Sequence, residues 1–278
     1  MATSPTLERS VPPLHDGSSG LQQTRGASRA GRIPLLAIVF GIGLAMFISL
    51  DPVRPWILLA LTAIVGLGAD GIIRSHPRAQ FHTIADTAPY LFVPVLFTLS
   101  AGLFLEDVIL GYWQIPAVLG ATVLMASALY AEHLSVEPEH AQFPMARFAL
   151  NVITYLTAFG FYAVVYGFDV DLLPAAFTVG MISMLLSIEI FREAEADPIR
   201  ALVFAAVIGV IVGEARWVLY FIPLEGFLAG VFILLVFYLT TGVISHYLAD
   251  HLDRAVLLEF AMVTTAGLAI VIGGRVLA

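Results

Sequence analysis

The sequence predicts an all-α fold: a polytopic transmembrane helical bundle of about nine spans, arranged as four helical hairpins plus one closing helix. Two observations predict it. Apolar residues make up 59% of the chain and charged residues 12%, where soluble domains carry about a quarter, and the mean hydropathy is +0.93. Apolar runs of about 20 residues, the length a helix needs to cross roughly 30 Å of hydrocarbon, recur along the chain between short polar or Pro-rich stretches.

Residues 1–33 are rich in Ser, Pro, Gly, Gln and Arg and show no helical or strand period, which reads as a disordered cytoplasmic tail; residues 34–278 form the transmembrane domain. Arg25, Arg29 and Arg32 precede the first apolar run as in a signal peptide. That run reaches Leu50 with no small-residue cleavage site, so it is expected to stay as an uncleaved span. The expected spans are 34–50, 56–73, 88–105, 115–133, 148–168, 172–191, 200–222, 225–248 and 255–274. Breakers separate them: residues 51–55 with two prolines, 74–87, Glu106-Asp107, 135–145, 169–171, 192–197, 223–225 and 249–254. The stretch 110–113 is expected to lie in the outer interface.

Orientation follows from the arginines, which accumulate on the cytoplasmic side of span ends. With the amino terminus inside, Arg9, Arg25, Arg29, Arg32, Arg74, Arg78, Arg147, Arg192, Arg200 and Arg254 are cytoplasmic, and only Arg54 and Arg275 are external. Nine spans then place the carboxyl terminus outside. Each even-numbered span ends on the cytoplasmic side with an ionisable residue and a polar loop, at Asp70, Glu132, Glu189 and His246, which is the basis for reading four hairpins.

Several chemistries are excluded by composition. All thirteen basic residues are arginine, so neither a retinal nor a pyridoxal phosphate Schiff base can form and no phosphate-binding loop can be written. No cysteine is present, which removes disulfides, iron–sulfur clusters and thiol catalysis. A net charge of −8 argues against a nucleic-acid partner; the bilayer is the expected one, together with other membrane proteins. The catalytic motifs G-x-S-x-G and H-E-x-x-H are absent, as are Asp-rich prenyl-transfer motifs, and Glu214-Ala-Arg216 and Glu189-x-x-Arg192 depart from the Glu-Glu-x-x-x-Arg segment of CPBP-type intramembrane proteases.

Candidate site residues fall at two depths. Six of the seven histidines lie in the cytoplasmic loops or at their margins, among many acids, and His133, His140, His246 and Asp250 are the candidates for metal ligation, without a recognised metal spacing. Asp70, Glu189 and Glu259 lie about one turn or less inside their spans. They are expected either to reach the headgroups or to line a shared inner vestibule for a cation or proton, with Asn151 and Tyr155 beside them. Glu214 and Arg216 lie roughly 21 and 24 Å along the seventh span, in its outer half. Two positions apart, they point to nearly opposite sides. Arg216 is expected to snorkel to the headgroups beside Trp217 and Tyr220, and Glu214 to face the bundle interior.

The segment Gly209-Val-Ile-Val-Gly-Glu-Ala-Arg-Trp-Val-Leu-Tyr-Phe-Ile222, with Val236-Phe-Tyr-Leu239 and Val256-Leu-Leu-Glu259 after it, resembles an uncharacterised bacterial family of multi-spanning membrane proteins, a domain of unknown function. The resemblance covers the last third of the chain and implies a bacterial inner-membrane protein without naming an activity. Three functional classes fit these residues: a structural or accessory membrane subunit, a carrier or channel-like protein for a small solute, ion or proton, and an intramembrane enzyme on a lipid or isoprenoid substrate.

Overall fold

A computed structural model of the protein describes residues 32–76, 83–109, 111–137, 139–168, 171–194, 197–222, 224, 226–249 and 253–277. Among them lie nine α-helices and no strand. The helices are α1 (Arg32–Ser49), α2 (Pro55–Arg74), α3 (Ile84–Asp107), α4 (Gln114–Ser135), α5 (Phe143–Gly167), α6 (Leu172–Ala194), α7 (Pro198–Leu219), α8 (Gly226–Leu248) and α9 (Arg254–Leu277), with a 3-10 turn at Gly111–Trp113. Each has a stretch long and apolar enough to cross a membrane. The protein is therefore a multi-pass membrane protein. Of the expected tail, residues 1–31 lie outside the described residues, and Arg32 and Ile33 already belong to α1.

Local chemistry explains where helices start. α7 opens with Pro198 in its first turn, while the Asp197 carboxylate accepts a hydrogen bond from the Ile199 N–H at 2.9 Å. α5 opens at Phe143 with a proline in its first turn, five residues before the span expected from hydropathy. Pro144 lacks an N–H but breaks nothing there, because the first N–H groups of a helix have no partner to lose. The early start places Arg147 inside α5, where the sequence had suggested a loop.

The helices pack as two four-helix units with the same pairing. In the first, α2 lies against α3 and α1 against α4; in the second, α6 lies against α7 and α5 against α8. Consecutive helices also touch, so the expected hairpins are present as members of these units. One core is built from Phe40, Leu44, Val65, Phe97, Met125 and Leu129, the other from Tyr162, Val179, Leu186, Ile208, Val212 and Phe237. α3 and α5 supply side chains to both cores and form the seam between units, joined by the α4–α5 and α3–α6 contacts. α9 packs against α8 and is peripheral, with 11% of its span buried.

Candidate functional site

At the end of the bundle where α2, α4, α6 and α8 finish, two acids and two arginines from three helices meet out of solvent. Glu189 of α6 is fully buried, and its Oε1 lies 2.6 Å from Nη1 of Arg147 and 2.9 Å from Nη2 of Arg192. Arg147 also donates from Nη2 to the Glu189 main-chain oxygen at 3.0 Å. Arg192 Nη2 reaches Glu132 Oε2 of α4 at 2.9 Å and Ser135 Oγ at 2.8 Å, and the Arg192 guanidinium stacks 3.9 Å above the Tyr90 ring of α3. Glu132, at 1% exposure, is more deeply buried than its partner Arg192. The set is neutral overall, which is what permits four charges to stay in an apolar surround.

The network crosses the seam. Glu132 and Tyr90 belong to the first unit, Arg147, Glu189 and Arg192 to the second, so the Arg192–Glu132 pair and the Arg192–Tyr90 stack join the two units, while Arg147–Glu189 ties α5 to α6. Glu132 Oε1, Glu189 Oε2 and Arg192 Nη1 are buried without a hydrogen bond. The arginines thus engage one oxygen of each carboxylate.

Asp70 forms a second, more exposed cluster beside it. Its carboxylate lies 2.7 Å from Arg74 Nε and accepts from Thr87 Oγ1 at 2.7 Å, and Arg74 Nη2 donates to Thr87 Oγ1 and the Thr83 carbonyl. The four-residue spacing of Asp70 and Arg74 on one helix face explains that pair. The shared vestibule expected from Asp70, Glu189 and Glu259 does not form. Glu189 is engaged by two arginines, and Glu259 is exposed on the peripheral α9. Glu189 does not reach for headgroups either, because its counter-ions come from inside the bundle.

The metal candidates are not brought together. His133 lies against His76, ring centroids 4.7 Å apart, and His246 Nδ1 faces the Gly242 carbonyl at 2.9 Å within its own helix. Asp250 lies outside the described residues. Among the described residues no group of three or more His, Asp or Glu side chains is placed to hold a metal ion. Asn151 is half-buried with an unbonded Oδ1, and Tyr155, one turn on, bonds Thr241 of α8 at 3.0 Å, so this pair contributes to helix–helix packing.

At the opposite end, the structure reverses both expectations for α7. Glu214 is exposed, on the rim of a groove between α6 and α7, and Arg216 is buried under Tyr166 of α5 at 4.8 Å. The physical reason is the phase of the helix: Arg216 shares the buried stripe Ala201, Ala205, Ile208, Val212 and Leu219, and a residue two positions away falls on the other side. Arg216 packs against the Tyr166 ring instead of extending into the aromatic belt.

A family model described as a protein of unknown function, DUF5656, matches residues 43–273. The chain belongs to this family. The DUF5656 match runs from within α1 to within α9, far beyond the last third on which the resemblance rests, and it contains the whole ion network, Glu214 and Arg216. No curated protein and no solved structure matches the chain.

Proposed function

We propose that this DUF5656 protein is an accessory or structural subunit of a membrane assembly, and that its α6–α7 face receives a transmembrane helix of a partner carrying a basic residue. The exposed position of Glu214 carries this reading. A carboxylate facing hydrocarbon is costly and is retained where it meets a partner. The groove beside it, of about 340 Å³, is lined by Ala176, Gly180, Gly209 and Gly213 with Phe177 and Met181. Small residues of this kind let a further helix approach closely, and the negative charge at the rim selects a cationic one. The pairing of the buried charges among themselves supports an architectural role over a carrier.

The expected result is a photocrosslink from a reactive residue at Met181, in native membranes, to a single protein. That adduct should disappear with Glu214→Leu and persist with Glu214→Asp. An adduct of twice the chain mass would assign the face to a second copy and overturn the partner reading, as would no adduct at all. The arginine distribution supports a cytoplasmic amino terminus and an external carboxyl terminus, and the resemblance supports a bacterial inner membrane. A reporter active only in the cytoplasm, fused after Ala278, is expected to be silent; a strong signal would refute that orientation.

A further inference from the structure

Arg216 is a buried cation whose charge no described group neutralises. Its side chain is 5% exposed, Nε and Nη1 donate to nothing, and the nearest partner is the Tyr166 ring at 4.8 Å. A guanidinium does not give up its proton in a protein, so burial cannot be relieved by deprotonation. The ring attracts the cation through its quadrupole but accepts no conventional hydrogen bond. Glu214, two residues earlier, is on the far side of α7 and exposed. Among the described residues no carboxylate meets it, which leaves an anion from the surroundings as a partner.

The surroundings say where it enters and what it is. Tyr166 is half-buried, and Gly167 and Phe168, which follow it, are exposed, so the guanidinium lies just beneath the rim formed by the ends of α5 and α7. Trp217, Tyr220 and Phe221 surround that rim, 43%, 60% and 72% exposed. Aromatic side chains in such a belt sit at headgroup depth, where phosphate oxygens are the abundant anions. Arginine is suited to phosphate, because several donors can engage its oxygens in charge-assisted bonds.

We propose that Arg216, with Tyr166 as the wall beside it, is a binding site for a phosphate group, supplied by the headgroup of a bilayer lipid. This site is independent of the α6–α7 groove and stands or falls separately from the partner helix. The test uses the full-length protein in a phosphate-free detergent, with dioctanoyl phosphatidylglycerol, inorganic phosphate and dioctanoylglycerol as separate probes. The phosphatidyl lipid is expected to raise the unfolding midpoint in a saturable way, and dioctanoylglycerol is not. Arg216→Gln should weaken that binding by at least about tenfold, as expected for loss of a charge-assisted contact, and Arg216→Lys should restore part of it. Equal stabilisation by inorganic phosphate at the same site would support the phosphate site and reassign its source to the free ion. No shift with either phosphate probe overturns the proposal, and so does a shift that Arg216→Gln leaves intact. If Arg216→Gln does not fold, the parent and Arg216→Lys decide: a parent that binds neither probe, or a Lys variant that binds lipid as tightly as arginine, overturns it.

Discussion

Glu189→Leu is expected to remove most of the folded protein from the membrane. The substitution takes away the carboxylate that the buried Arg147 and the partly buried Arg192 share, while Arg192 keeps its contact with Glu132. Removing one partner from a buried ion pair costs roughly 3–5 kcal/mol, because the remaining charge keeps its desolvation penalty without its attraction. That is a large share of the roughly 5–15 kcal/mol by which ordinary domains are stable. Arg147→Met should be damaging for the converse reason. The double variant Arg147→Met/Glu189→Leu should recover much of the loss, since two apolar side chains of similar volume remove both charges together. The measurement is the fraction of monodisperse protein surviving a temperature series in detergent, arranged as a double-mutant cycle. A strongly favourable coupling is the expected outcome. Single variants as stable as the parent would mean that the Arg147–Glu189 pair does not hold α5 to α6.

Most of the fold could be read from the chain, because membrane insertion imposes a rule that operates locally. Every backbone polar group in hydrocarbon has to be satisfied within its own segment, so long apolar runs become helices irrespective of their neighbours. Eight of the nine expected spans therefore begin within about four residues of the helices in the structure, on the scale by which element boundaries ordinarily shift. The fifth is displaced because hydropathy discounted Pro144 and Arg147, whereas helix geometry tolerates proline in the first turn. That displacement hid one of the four members of the ion network, Arg147. Arg147 was assigned to a loop and Arg192 to the cytoplasmic margin, although Glu132, Arg147, Glu189 and Arg192 all lie near helix ends at one face of the bundle. Which helices adjoin each other is a tertiary fact, and nothing in the spacing of the chain says that α4, α5 and α6 converge there.

Glu214 and Arg216 show a different limit. Their opposition on the helix follows from the sequence, but choosing which one faces inward requires the phase of α7. The signal was present: Ala201, Ala205, Gly209 and Arg216 recur at helical spacing with Ile208, Val212 and Leu219, and all but the arginine are small or aliphatic. Insertion cost alone, applied to an acid and a base separately, pointed Glu214 inward. Packing decided otherwise, since Arg216 lies in the buried stripe of α7, while Glu214 falls outside it.

That close contact makes α6 and α7 the pair most sensitive to a single added carbon. Gly180 and Gly209 face each other reciprocally: a Cβ on either would stand 2.7 Å from the main-chain oxygen of the other, and one on Gly213 would stand 3.1 Å from the Ala176 oxygen. Backbone atoms cannot rotate away as a side chain can, so the helices must separate. Gly209-x-x-x-Gly213 is the small-residue spacing that membrane helices use for close approach, and the reciprocal contact suits Cα–H···O bonding between the two backbones. Gly209→Ala is expected to destabilise by about 1–3 kcal/mol through overpacking, and Gly180→Leu by more. Gly120→Ala is the control: a Cβ there meets nothing within 4 Å, so the gain in helix propensity, about 0.5–1 kcal/mol, should make it neutral or stabilising. Heat-survival curves of the three variants in one detergent compare them directly. Because the same glycines line the groove under Glu214, Gly209→Ala should also weaken the crosslink from Met181, even in the fraction that stays folded. Equal tolerance of alanine at positions 209 and 120 would mean that the two helices are not held at backbone contact, and the groove would lose its argument for admitting a further helix.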